Sequence, residues 1–253
     1  MEKENQEKIV SSEQGINAEK IFHGKSEGHT SEMFYAESAG LFANIISKEI
    51  TPSIYTLVDL GGHKGELLSD VLSKLSGYTF DSTVIDKVEG LGEGIEAKKV
   101  IADIEHTPIE SKSADVVLLR YVLAWNTIDD QRKILKEVIR ITKGIAIIQH
   151  QGADSLNPQL LSEAQTRLFG GDIPELKRDV NFLWTDPRKL EEIMTEQGIK
   201  FSTIQDRKIE GLSNLFIEKY GLVGEKAEMV RKILHDCDYV MQTTWLLDFR
   251  SEE

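Results

Sequence analysis

The sequence predicts an α/β fold, a mostly parallel, doubly wound sheet with helices on both faces. Three observations carry that prediction. Short apolar strands alternate with helical patterns from Tyr55 onward; a glycine-rich turn joins the first strand to the helix behind it; three successive early strands end on aspartates, Asp59, Asp86 and Asp103. Strands separated by single helices need crossover connections, and these favour parallel pairing.

The elements follow in chain order. The first twenty or so residues are polar, and 21–30 form a Gly- and Ser-bearing connection. Residues 36–49 predict a helix, because Leu41, Phe42, Ile45 and Ile46 fall on one face. Pro52 disfavours helical geometry just beyond it. A strand at 55–60 leads to a helix at 66–75 with Leu67, Leu68, Val71, Leu72 and Leu75 on one stripe. Further strands are expected at 83–85, 99–102 and 115–119, the last continuously apolar as a strand covered on both faces should be. An amphipathic helix at 128–142 turns Ile134, Leu135, Val138 and Ile141 inward, and a fifth strand covers 144–148. The rhythm breaks at 151–184, where Asn157-Pro158, Gly170-Gly171 and Pro174 surround one helix at 159–168. Thr185-Asp186-Pro187 then marks a helix start, a capping side chain before a proline in the first turn, and that helix ends at Gly198. Strands at 201–209 and 240–249 flank a helix at 226–234.

Composition restricts the partners. The 253 residues carry 30 basic against 43 acidic side chains, a net charge of -13. A nucleic-acid binder needs a basic footprint, and no Lys/Arg run supplies one. The same charge opposes an anionic membrane surface. Cys237 is the one cysteine, so neither an internal disulfide nor a cysteine metal site is expected. No His/Asp/Glu cluster has metal-ligand spacing. No apolar run approaches the roughly 20 residues of a bilayer span, and the charged first residues lack the apolar core of a secretory signal. The expectations are a cytoplasmic protein, a small-molecule partner, and neither nucleic acid nor membrane; a homodimer is left open.

The chemistry concentrates in Val58-Asp-Leu-Gly-Gly-His-Lys-Gly-Glu-Leu-Leu68. Gly61, Gly62 and Gly65 allow a tight turn and close approach to a ligand, and the helix that follows presents unpaired N–H groups. The dinucleotide fingerprint, with glycines at the first, third and sixth places, is not met from either Gly61 or Gly62. An acid at the strand end suits a cationic ligand better than a phosphate. A carboxylate at Asp86 is placed to accept ribose hydroxyls, a device that nicotinamide enzymes share.

Asp59-Leu-Gly-Gly-His-Lys-Gly65 resembles motif I of the class I S-adenosylmethionine-dependent methyltransferases, with His63 where that family usually has its middle glycine. The resemblance implies a Rossmann-like sheet of seven strands whose last is antiparallel, S-adenosylmethionine as cofactor, Asp86 on its ribose, and Asp103 with Ile104 on its adenine. Arg120 is counted with these cofactor residues. The segment 114–135 is similar to small-molecule O-methyltransferases, but Ala124 stands where that group has its base histidine, and the larger N-terminal dimerisation domain of that group is not expected here. His150, after the fifth strand, is the remaining candidate base, with a purely structural histidine as its alternative. Tyr121 and Trp125, with His29 from the N-terminal segment, are the candidate acceptor-binding residues. Residues 1–50 are expected to form a lid and 51–253 the catalytic domain, with 151–184 as part of the acceptor pocket. The predicted reaction is methyl transfer to an oxygen or nitrogen of a small molecule. The alternatives are an NAD(P)-dependent oxidoreductase, which the glycine spacing disfavours, and a cofactor-binding regulatory protein without catalysis.

Overall fold

The computed structural model describes residues 29–87, 95–153, 158–168, 172 and 185–250, with side chains of the first helix described from Ala36. Most of the expected 151–184 insertion lies outside the described residues. Seven strands make one sheet: β1 (Ile54–Leu60), β2 (Thr79–Asp86), β3 (Lys98–Ile101), β4 (Ala114–Arg120), β5 (Thr142–Gly152), β6 (Phe201–Glu210) and β7 (Tyr239–Asp248). Their order is β3-β2-β1-β4-β5-β7-β6. β1 to β5 pair in parallel and β7 runs antiparallel to both β5 and β6. The expected fold class and the late antiparallel strand are both present.

Side chains alternate along a strand, and here the alternation sorts the core into two layers. Val58, Leu60, Val117, Leu119, Ala146 and Ile148 point to one face. There they meet α3 (Ile128–Ile141) and α5 (Pro187–Glu196) through Ile134, Leu135, Val138, Leu190 and Ile193. Leu57, Val84, Val116, Leu118, Ile145 and Ile147 point to the other face, where α1 (His29–Glu49) and α2 (Glu66–Lys74) cover them. α3 is started by Thr127, whose hydroxyl accepts the Asp130 N–H, and α5 by Asp186, whose carboxylate accepts the Arg188 N–H ahead of Pro187.

Three features depart from the sequence reading. Ala39, Phe42 and Ile46 of α1 are fully buried between the sheet and α2, so the inner face of this helix packs as core. β5 continues to Gly152, which places His150 inside the strand. Between β6 and β7 stand two helices, α6 (Leu212–Tyr220) and α7 (Glu225–Leu234), where only the second was predicted. α6 is bounded by left-handed Gly211 and Gly221, and Asp238 accepts both the N–H and the hydroxyl of Ser213 in its first turn. With α4 (Pro158–Arg167) these helices bury a separate apolar cluster that includes Leu161, Ala164, Leu212, Val230 and Leu234.

Candidate active site

The chain reverses its direction of travel across the sheet between β1 and β4, and ligands of open α/β sheets bind outside the strand ends at such a point. The residues gathered there come from four strand ends. Leu60 pairs with Ile85 and Leu119, and Asp86 with Ile101, so Asp59, Asp86, Arg120 and the residues that follow them share one edge.

The turn after β1 holds three left-handed residues, Gly61 (φ 70°), His63 (φ 47°) and Gly65 (φ 77°). His63 thus takes the conformation that a glycine usually supplies, and its N–H donates to Asp86 Oδ2 at 2.9 Å, which helps to hold it there. The space around the loop is close. A Cβ on Gly61 would meet Val122 Cγ2 at 2.4 Å, and one on Gly62 would meet Asp59 Oδ2 at 2.4 Å and Val84 Cγ1 at 2.9 Å. On Gly65 it would stand 2.1 Å from Ile95 Cδ1.

Asp59 lies beneath this loop, 1% exposed, and its Oδ2 meets no hydrogen-bond partner among the described residues. Burial, with the Asp86 carboxylate adding to it, pushes the Asp59 carboxyl up to about 7, and Arg120 pulls only partly in the other direction. Burial also lowers the His63 imidazole below its usual range. At the next strand, Asp103 is exposed; partial burial raises its carboxyl, but the Glu105 N–H and the Lys87 ammonium at 3.0 Å together outweigh that and hold it low. Ile104 is buried in the apolar layer beneath α3.

The period-two alternation also separates the other candidates. Arg120 lies on the α1 side, where its Nε donates to Ser38 Oγ at 3.0 Å and its guanidinium stacks over the Tyr121 ring at 4.0 Å. Ser38 donates to Gln149 Oε1 at 2.7 Å, and Gln149 donates to Thr244 at 3.1 Å. Tyr121 has φ 58°, which turns it out of the strand line, and its N–H is held by the Gln149 carbonyl at 2.7 Å. Trp125, in the short 3-10 turn Leu123–Trp125, is 37% exposed, whereas Ala124 beside it is fully buried. The side chain of His29 lies outside the described residues.

His150 does not take the place expected of a base. It is fully buried on the face opposite Arg120 and stacked against Trp245. Its Nε2 donates to the Thr185 carbonyl at 2.8 Å. Burial drops the imidazole to about 4, opposed by that carbonyl, so the ring is neutral and structural near neutrality. The cause of the misplacement is the length of β5, which carries His150 into the sheet instead of past it.

The polar residues that the sequence reading missed are Ser38, Gln149, Gln242 and Thr244, all buried on or against the α1 side of this edge. A signal was present. Gln242-Thr243-Thr244 is a polar run inside a strand of otherwise apolar character, and such a run can be buried only if each side chain finds partners.

Residues 58–148, which contain the glycine loop and the first four strand ends, match the family described as a methyltransferase domain. Over this stretch the chain carries a methyltransferase domain. This methyltransferase also shares its fold with solved structures. It is similar to the YcgJ protein from Bacillus subtilis (14% identity, 85% of this chain and 99% of that one, TM-score 0.59). A geranyl diphosphate methyltransferase in complex with S-adenosylmethionine is 13% identical over 88% of this chain and 92% of its own, with a TM-score of 0.61. The geranyl diphosphate C-methyltransferase from Streptomyces coelicolor A3(2) is 11% identical over 83% and 78%, with a TM-score of 0.54. No curated protein sequence matches the chain. The family match sets aside the oxidoreductase alternative.

Proposed function

We propose that this methyltransferase moves the methyl group of S-adenosylmethionine to an oxygen or nitrogen of a small molecule. The observation that carries the reading is Asp59: a buried carboxylate with an unpartnered oxygen beneath a glycine cradle. Such a group is costly unless a cation or donor completes it. A ligand bearing ammonium and sulfonium charges suits that environment, and a pyrophosphate does not. Gly61, Gly62 and Gly65 would cradle the amino-acid part, Asp86 the ribose, and Asp103 with Arg120 would border the rest. When bound, S-adenosylmethionine supplies an electrophilic methyl group.

The chain's own contribution is placement and exclusion of water, which can supply several kcal/mol of the barrier. Tyr121 and Trp125 form the wall of the acceptor pocket in this reading. His150 faces away, so the acceptor reaches the pocket already able to attack and needs no histidine base. The net charge of -13 and the fold shared with geranyl diphosphate methyltransferases support a small molecule over a nucleic acid. Calorimetry decides the cofactor: S-adenosylhomocysteine should bind and NAD should not. A screen of small hydroxyl and amine compounds with methyl-labelled cofactor should then yield a labelled product; label found only on nucleic acid or protein would refute the acceptor class.

A further inference from the structure

The wall around Tyr121 contains a hydrogen-bond chain whose direction can be worked out from its far end. Glu37 accepts two bonds from the Arg207 guanidinium, at 3.1 and 2.7 Å. Arg207 Nε in turn donates to Gln242 Oε1 at 2.7 Å. A guanidinium has donors only, so the carboxamide oxygen of Gln242 must face it and the NH2 must face the other way. That NH2 donates to the Tyr121 hydroxyl oxygen. The phenol oxygen is therefore an acceptor toward Gln242, and its own proton has to point elsewhere. No second hydrogen bond to the Tyr121 hydroxyl is found among the described residues, and its ring is fixed by the Arg120 guanidinium.

Gln242 is 1% exposed, so water cannot substitute for this arrangement, while Tyr121 is only half-buried. Tyr121 also adjoins the glycine loop, since Val122, the next residue, occupies the space above Gly61. A tyrosine at φ 58° persists only where its surroundings over-determine it.

We propose that Glu37, Arg207 and Gln242 are positioning residues that commit the Tyr121 hydroxyl to donate its proton to the methyl acceptor, which must therefore present a lone-pair oxygen, such as a carbonyl, at that point. The inference rests on the reading that Tyr121 lines the acceptor pocket. It adds a chemical requirement on the substrate, a hydrogen-bond-accepting oxygen close to the atom that is methylated.

The test reverses the chain without changing its size. In Gln242→Glu a carboxylate accepts from both Arg207 and Tyr121, so the phenol gives its proton to residue 242 and offers only lone pairs to the pocket. Full-length protein saturated with S-adenosylhomocysteine is probed by ligand-observed NMR with acetophenone, which can only accept, and 1-phenylethanol, which can also donate. The affinity ratio of acetophenone to 1-phenylethanol should fall at least about fivefold in Gln242→Glu, the worth of one hydrogen bond. The same change in a Tyr121→Phe background should leave the ratio unaltered. Arg207→Met, which frees the carboxamide to rotate, should lower the ratio about twofold or more and serves if the glutamate variant does not fold. An unchanged ratio, an equal change without the phenol, or no binding of acetophenone to the loaded wild type would overturn the proposal. Failure to bind S-adenosylhomocysteine at all would instead count against the cofactor reading.

Discussion

Asp59 is an acid kept from water, and its effect on stability has a definite sign. Its carboxyl is raised from 3.8 to about 7 by burial, so the folded state prefers it protonated. Below about pH 4 it is neutral in both states and costs nothing. As pH rises toward 7 the unfolded chain ionises first, and up to ~4 kcal/mol of stability is withdrawn. In urea unfolding, the stability of Asp59→Asn relative to wild type should therefore move in the variant's favour by ~2–3 kcal/mol between pH 5 and pH 8. A difference that ignores pH would mean that the carboxylate is already paired. Asp86 acts differently, because it holds the loop through the His63 N–H. Asp86→Ala should weaken S-adenosylhomocysteine binding at least ~tenfold in calorimetry, since a charge-assisted partner is lost both to the loop and to the ligand.

Among the elements, the end of β5 and the β1–α2 turn are packed against fixed neighbours. Gly152 passes so close to the start of α5 that a Cβ would stand 1.9 Å from the Thr185 carbonyl oxygen and 2.8 Å from His150 Nε2. Thr185 is also held through its hydroxyl, which accepts from the buried Gln131 amide at 2.8 Å. Gly152→Ala should therefore cost ~1–3 kcal/mol by displacing Thr185 from both partners, measured as a lowered urea midpoint at constant slope. In the glycine turn, Gly62→Val would place methyl groups against Asp59 and Val84. It should reduce S-adenosylhomocysteine affinity at least ~tenfold while the far-ultraviolet spectrum keeps its shape. Retained affinity would move the cofactor away from this turn.

At the scale of the molecule, the sheet and its two apolar layers are one unit and the cluster of α4, α6 and α7 is another. The helical cluster shares no buried residue with the two layers. It stands at the edge where β5 and β6 end and β7 begins. Leu234 is 1% exposed within it. Leu234→Ala should lower stability by ~2–4 kcal/mol, yet S-adenosylhomocysteine affinity should stay within about twofold because the cluster shares no buried residue with the layers that carry the glycine loop. A parallel loss of affinity would show that the helices hold the glycine loop.

The sequence by itself determined the strand–helix alternation, the glycine turn and the positions of the early strands along the chain, since periodicity and turn chemistry are local properties. It also marked Asp59 and Asp86 as strand-end acids, and both stand at the switch point. Element lengths and partners were decided only in three dimensions. Four further residues carry β5 past Ile148, and that turns His150 from a site residue into a buried clamp on Thr185. Nothing local marks Glu37 and Arg207 as partners of Gln242, because the bonds of that chain join positions up to 170 residues apart. α6 escaped notice because its nine residues draw their stability from packing and from Asp238, far along the chain. The direction of a hydrogen bond depends on what its donor and acceptor meet next, and only the folded sheet brings those groups together.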